Sequence, residues 1–162
     1  MALSVDDARI GIELQIPARA EYIGLVRLVV SSLASSRRRL ADDRVHDLKL
    51  AVSEACTNAI EVHAGMEIDD RVRLRWAERD DRLEVAVDDC GPGFDPEALP
   101  EHPPVTDPER LNFERGLGIP LIRTLVDHVD FTPSSQGTSV RMTMYCGPAD
   151  DPEVGLVGEA ED

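Results

Sequence analysis

Apolar side chains fall at every second position over residues 10–16, Ile-Gly-Ile-Glu-Leu-Gln-Ile, and that alternation predicts a strand with one buried and one wet face. From about Ala18 to Arg39 the period changes. Tyr22, Val26, Val29, Val30 and Leu33 recur at helical spacing, the stripe of an amphipathic helix, and Pro17 suits its start. A second helical pattern runs from Asp42 or Asp43, either of which can cap it, to His63. Its inward side carries Leu48, Val52, Ala55, Cys56, Ala59 and Ile60, and Gly65 is its stop.

Alternation then returns. Val72, Leu74 and Trp76 interleave with arginines, and Leu83, Val85 and Val87 alternate beyond Arg79-Asp80-Asp81-Arg82, which predicts a hairpin. Residues 95–115 hold five prolines and many charges with little periodicity, and read as a long lid loop. Pro120 fits the first turn of a short helix carrying Leu121, Ile122, Leu125 and Val126, and two strands follow near 128–132 and 138–145, split by Pro133-Ser134-Ser135-Gln136-Gly137. The expected fold is α+β, a two-layer sandwich with about three helices on one face of a mixed, mostly antiparallel sheet. Residues 1–9 are expected to be a flexible N-terminus, 10–146 the domain, and the acidic stretch 147–162 a disordered tail.

Composition narrows the chemistry. A length of 162 residues, 42% of them hydrophobic, suits one domain with a real core. The net charge of -15 and the lack of a long basic run disfavour direct nucleic-acid binding. Lys49 is the only lysine, so a phosphate loop of the G-x-x-x-x-G-K-[ST] type is absent and any nucleotide must be held another way. Cys56, Cys90 and Cys146 fit neither a disulfide framework nor a zinc site, and no apolar run approaches membrane-spanning length; a cytoplasmic protein with no membrane contact is expected.

Four short motifs carry candidate chemistry. Glu54 and Asn58, four residues apart, project from one side of the second helix, where the Asn58 carbonyl can serve Mg2+ beside a triphosphate and Glu54 can take a proton. Asp89-Cys90-Gly91-Pro92-Gly93 follows a strand; Asp89 can accept from the exocyclic amine of adenine while Gly91 and Gly93 let backbone approach a flat ligand. Gly116-Leu117-Gly118 precedes the Pro120 helix and makes an anion site, with Arg115 one residue earlier able to reach a terminal phosphate. Gly137-Thr138 opens the last strand. Each alone has a plain structural reading, as an exposed helix face, a strand-ending turn, a solvated arginine or a hairpin turn. Their order and spacing together point to an ATP site.

In this order the motifs resemble the GHKL ATPase fold shared by gyrase B subunits, MutL proteins and sensor histidine kinases. Leu50 to Ile60 looks like its N box, Asp89 to Gly93 its G1 box, Gly116 to Gly118 its G2 box and Gly137-Thr138 its final Gly-Thr. The match is closest to small RsbW-type anti-sigma-factor serine/threonine kinases and covers about residues 10–146. The resemblance implies Asn58 as Mg2+ ligand, Glu54 as general base, and Asp89 as the adenine selector with help from Thr138 and ordered water. Gly91, Gly93, Gly116, Leu117 and Gly118 would shape the pocket and lid, and Arg115 matches an arginine at the lid's end. One departure is His63, one residue further from Asn58 than in the commonest pattern, and it is given no catalytic role.

The function so implied is an ATP- and Mg2+-dependent kinase that binds a sigma factor and phosphorylates an anti-sigma-factor antagonist; it leaves homodimer formation open. An ATP-gated protein-binding regulator without kinase activity is the alternative, and a free-standing ATPase resembling gyrase or MutL heads lacks room for a transducer domain. The acidic neighbours of Cys90 disfavour its thiolate, so it is read as structural. Cys56 is expected in the core, Cys146 at a strand end. The first helix and Arg37-Arg38-Arg39 offer a partner surface or a solvated face.

Overall fold

The computed structural model describes residues 10–36, 39–63, 71–89, 118–134 and 137–146. Their elements are strand β1 (Ile10–Pro17), a 3-10 turn (Ala20–Tyr22), helices α1 (Ile23–Ser35) and α2 (Asp42–His63), strands β2 (Arg71–Glu78) and β3 (Arg82–Asp88), helix α3 (Gly118–Leu125), and strands β4 (His128–Ser134) and β5 (Gly137–Tyr145). The five strands form one sheet in the order β1-β2-β3-β5-β4, and every pairing in it is antiparallel. This is the expected α+β fold at its fully antiparallel limit. The expected lid 95–115, the stop at Gly65, Cys90, Arg37 and Arg38, and the terminal segments 1–9 and 147–162 lie outside the described residues.

One face of the sheet is apolar because alternate residues point the same way. Val72, Leu74 and Trp76 of β2, Leu83, Val85 and Val87 of β3, and Val140, Met142 and Met144 of β5 form one buried cluster with the helices. The helices contribute Val26, Val30 and Ala34 of α1, Leu48, Val52, Ala55, Cys56 and Ala59 of α2, and Ile122 of α3. Burying such side chains stabilises by about 1.5–3 kcal/mol each, which makes this layer the main source of stability. The opposite face is polar, with only the small pair Ala77 and Ala86 buried as an apolar cluster of its own. Helix α2 is central, touching α1, α3 and the middle of the sheet. It carries polar residues at little cost, since Ser53 Oγ donates to Lys49 O at 2.7 Å and Thr57 Oγ1 to Ser53 O at 2.9 Å.

Four local expectations are corrected. Pro17 ends β1 opposite Arg71 instead of opening the helix. An edge strand tolerates a residue with no N–H, and the helix proper begins only at Ile23. The first helix also stops at Ser35, short of Arg39. Arg39 is neither a partner surface nor a solvated face, because its side chain is 3% exposed and turns inward. There Nη2 donates to Arg79 O at 2.6 Å and Asp80 O at 2.8 Å, and Nη1 lies 3.9 Å from Glu78 Oε2, so the arginine fastens the β2–β3 turn beneath the α1–α2 connection. Asp42 and Asp43 are the first helical residues of α2 and not flanking caps; Val45 N donates to Ala41 O at 2.9 Å, and both acids complement the helix dipole.

Candidate functional site

Glu54 and Asn58 are half-buried on α2, and the side they share turns to the start of α3. A Cβ placed on Gly118 would stand 3.1 Å from Asn58 Nδ2, 3.1 Å from Asn58 Oδ1 and 3.2 Å from Glu54 Oε2. Only a residue without a side chain fits there unless its neighbours shift. The exposed-helix-face reading of Glu54 and Asn58 therefore fails: both polar tips meet the backbone of the glycine that opens α3. Gly118 is the first residue of an eight-residue helix, so this contact lies at the positive end of its dipole.

A second pair forms where β3 ends. Asp89 N donates to Thr138 O at 3.0 Å, and Thr138 N donates to Asp89 Oδ1 at 3.3 Å, so the two residues lock across the end of the β3–β5 ladder. Thr138 is 2% exposed, yet among the described residues its Oγ1 has no hydrogen-bond partner. A buried hydroxyl without a partner is costly, and here it belongs to the residue whose N–H donates to the Asp89 carboxylate. A ligand edge or a water bridging to one would satisfy it. Since α2 packs on β3 as well as α3, the helix carrying Glu54 and Asn58 neighbours the strand that leads to Asp89.

The structure thus brings Glu54, Asn58 and Gly118 together, and Asp89 with Thr138. Gly91, Gly93, Arg115, Gly116 and Leu117 lie outside the described residues. His63 closes α2, and Cys56 is packed in the core, where burial pushes its thiol up to about 12. Among the described residues no group of three or more His, Cys, Asp or Glu is arranged to hold a metal ion. A cation here would take one or two protein oxygens and the rest from a ligand or water, the manner that suits Mg2+ and the Asn58 carbonyl.

Three neighbours of the site belong to no motif. Asp88 accepts from Arg75 Nε at 2.7 Å, from Arg75 Nη2 at 2.8 Å and from Ser139 Oγ at 2.6 Å, tying β2, β3 and β5 together on the polar face. The alternation Arg71-x-Arg73-x-Arg75 marks that face in the sequence, but the partners are separated by 13 and 51 positions and nothing local announces them.

Comparison with known proteins agrees with this geometry. Residues 16–144 match the histidine kinase-like ATPase domain family. The chain belongs to that family. It is 42% identical over 149 residues to the serine-protein kinase RsbW of Bacillus velezensis, covering 90% of this chain and 89% of that protein. To the serine-protein kinase RsbW of Bacillus subtilis it is 41% identical over 138 residues, covering 83% and 84% respectively. The solved RsbU and RsbW domains of a Mycobacterium tuberculosis protein superpose with a TM-score of 0.61 at 16% identity, over 86% of this chain and 33% of that longer one, which is a likeness of fold alone. As a histidine kinase-like ATPase domain the chain uses ATP, and the motif order along α2, β3, α3 and β5 is that of the GHKL fold. Among the described residues no helix is long and apolar enough to cross a membrane.

Proposed function

We propose that the protein is an ATP- and Mg2+-dependent serine/threonine protein kinase that acts as an anti-sigma factor, binding a sigma factor and phosphorylating an anti-sigma-factor antagonist in the cytoplasm. The observation that carries this reading is the seating of Glu54 and Asn58 together against Gly118, which supports Glu54 as the proton acceptor and Asn58 as the cation ligand. Its relatives at about 40% identity over most of the chain bear the name serine-protein kinase.

Each residue has a task in phosphoryl transfer, which rests on positioning and charge stabilisation more than on covalent chemistry. Asp89 accepts from the adenine amine and Thr138 Oγ1 completes the contact. By their motifs, Gly91, Gly93, Gly116, Leu117 and Gly118 are assigned to the nucleotide pocket and Arg115 to the terminal phosphate. Asn58 would hold Mg2+, which would offset the charge of the triphosphate. Glu54 takes the proton from the serine hydroxyl as its oxygen bonds to the γ-phosphorus and the bond to the β–γ bridging oxygen breaks, releasing ADP. Leu25 and Leu28, exposed on the outer side of α1, leave apolar surface for a protein partner.

The test is to purify the protein from its native cell with ATP and Mg2+, identify what comes with it by mass spectrometry, and supply γ-labelled ATP. Label on a serine of a co-purified protein, together with a co-purified sigma factor, is the expected result. Label that stays on ATP while the partner is still retained would replace the kinase with a nucleotide-gated binding module.

A further inference from the structure

Asp88 is the last residue of β3, one position before Asp89. Its two oxygens receive the Arg75 guanidinium as a fork, Nε to Oδ2 at 2.7 Å and Nη2 to Oδ1 at 2.8 Å, and Oδ1 also accepts Ser139 Oγ at 2.6 Å. The ladder sets Asp88 opposite Arg73 on β2 and opposite Ser139 on β5, so Arg75 reaches it diagonally across the polar face. The next rung is the Asp89–Thr138 pair. Because successive strand residues point to opposite faces, the two constellations stand back to back on consecutive residues of the same two strands. The Arg75 and Asp88 side chains are 19% and 22% exposed, enough shielding for a forked pair to hold one geometry.

We propose that Arg75, Asp88 and Ser139 are positioning residues for adenine recognition. They fix the spacing and direction of β3 and β5 where the ladder ends, and through the shared backbone they set where Asp89 and Thr138 Oγ1 point. A hydrogen bond to a purine edge tolerates displacements of only about 0.5 Å, and losing the side-chain clamp leaves the Asp89–Thr138 rung alone to hold the strand ends. The inference rests on the reading of Asp89 and Thr138 as the adenine contacts. Lysine cannot replace Arg75, since a point charge lacks the fork that spans both carboxylate oxygens.

The experiment measures ATP and GTP binding by calorimetry, and kcat and KM for ATP, on the wild-type protein and on Ser139→Ala, Ser139→Thr and Arg75→Lys. Ser139→Ala and Arg75→Lys should raise Kd and KM for ATP by about three- to tenfold, narrow the preference for ATP over GTP, and leave kcat within about twofold. Ser139→Thr keeps a hydroxyl on the same face and should restore wild-type values. Variants that melt at a lower temperature yet bind ATP as tightly as the wild type would overturn the positioning role and leave a purely structural tie. A wild-type protein that binds no ATP would overturn the adenine reading itself, a result separate from that one.

Discussion

The backbone of Gly118 rests on the side chain of Asn58, with room for a Cβ only 3.1 Å from both its Oδ1 and its Nδ2. That contact joins the Glu54 and Asn58 side of α2 to the first residue of α3. Gly118→Ala should push Asn58 and Glu54 apart without disturbing the core, lowering kcat/KM for ATP by about tenfold or more while the circular dichroism spectrum stays native. Gly118→Val should be worse. Steady-state phosphotransfer on the two variants checks both the direction and the order.

Thr138 separates function from stability. Among the described residues its buried Oγ1 has no partner, so Thr138→Val removes a desolvated hydroxyl without breaking a hydrogen bond there. Melting temperature should hold or rise, while ATP affinity falls by about three- to tenfold. A large loss of stability with unchanged affinity would mean that the hydroxyl serves the fold.

The buried Arg39–Glu78 pair should behave in the opposite way. Trp76 Nε1 donates to Glu78 Oε1 at 3.2 Å, and both ion-pair side chains are almost fully enclosed, at 3% and 5% exposure. Arg39→Met would leave the Glu78 carboxylate and the carbonyls of Arg79 and Asp80 without their guanidinium, and should cost about 3–5 kcal/mol. Urea unfolding followed through Trp76, the only tryptophan, measures that loss directly.

These residues also show what was legible in the sequence. Glu54 and Asn58 could be placed on one side of a helix because a four-residue spacing fixes their common direction. The β2–β3 hairpin could be placed because apolar alternation survives on either side of its charged turn. Arg39 gave no such signal. It ends a run of three arginines that reads as solvated, and it turns inward only because the β2–β3 turn, 40 residues later, presents two carbonyls there. Pro17 suited a helix start and a strand end equally, and the choice fell to its ladder with Arg71. The Asp88 clamp needs three strands in register, which is tertiary information. Local pattern therefore revealed the motifs, and long-range pairing supplied what holds them.

Cys56 gives the fold a response to alkali. Burial pushes its thiol up to about 12 from an ordinary value of 9, so between those two values the native state holds a proton that the unfolded chain has released. Stability should be full below pH 9 and fall as pH rises above it, by at most about 1.4 kcal/mol per pH unit from this group. Cys56→Ala should flatten that dependence. Alkylation at pH 8 mapped by mass spectrometry should leave Cys56 untouched until the protein unfolds.

As a general base, Glu54 would accept a proton during transfer of the γ-phosphate of ATP. The direct measurement is the rate of serine phosphorylation of the co-purified antagonist at saturating ATP and Mg2+, wild type against Glu54→Ala. A loss of about 100-fold or more, with ATP affinity within a fewfold of wild type, is the result expected of a general base. Undiminished phosphorylation by Glu54→Ala would contradict it.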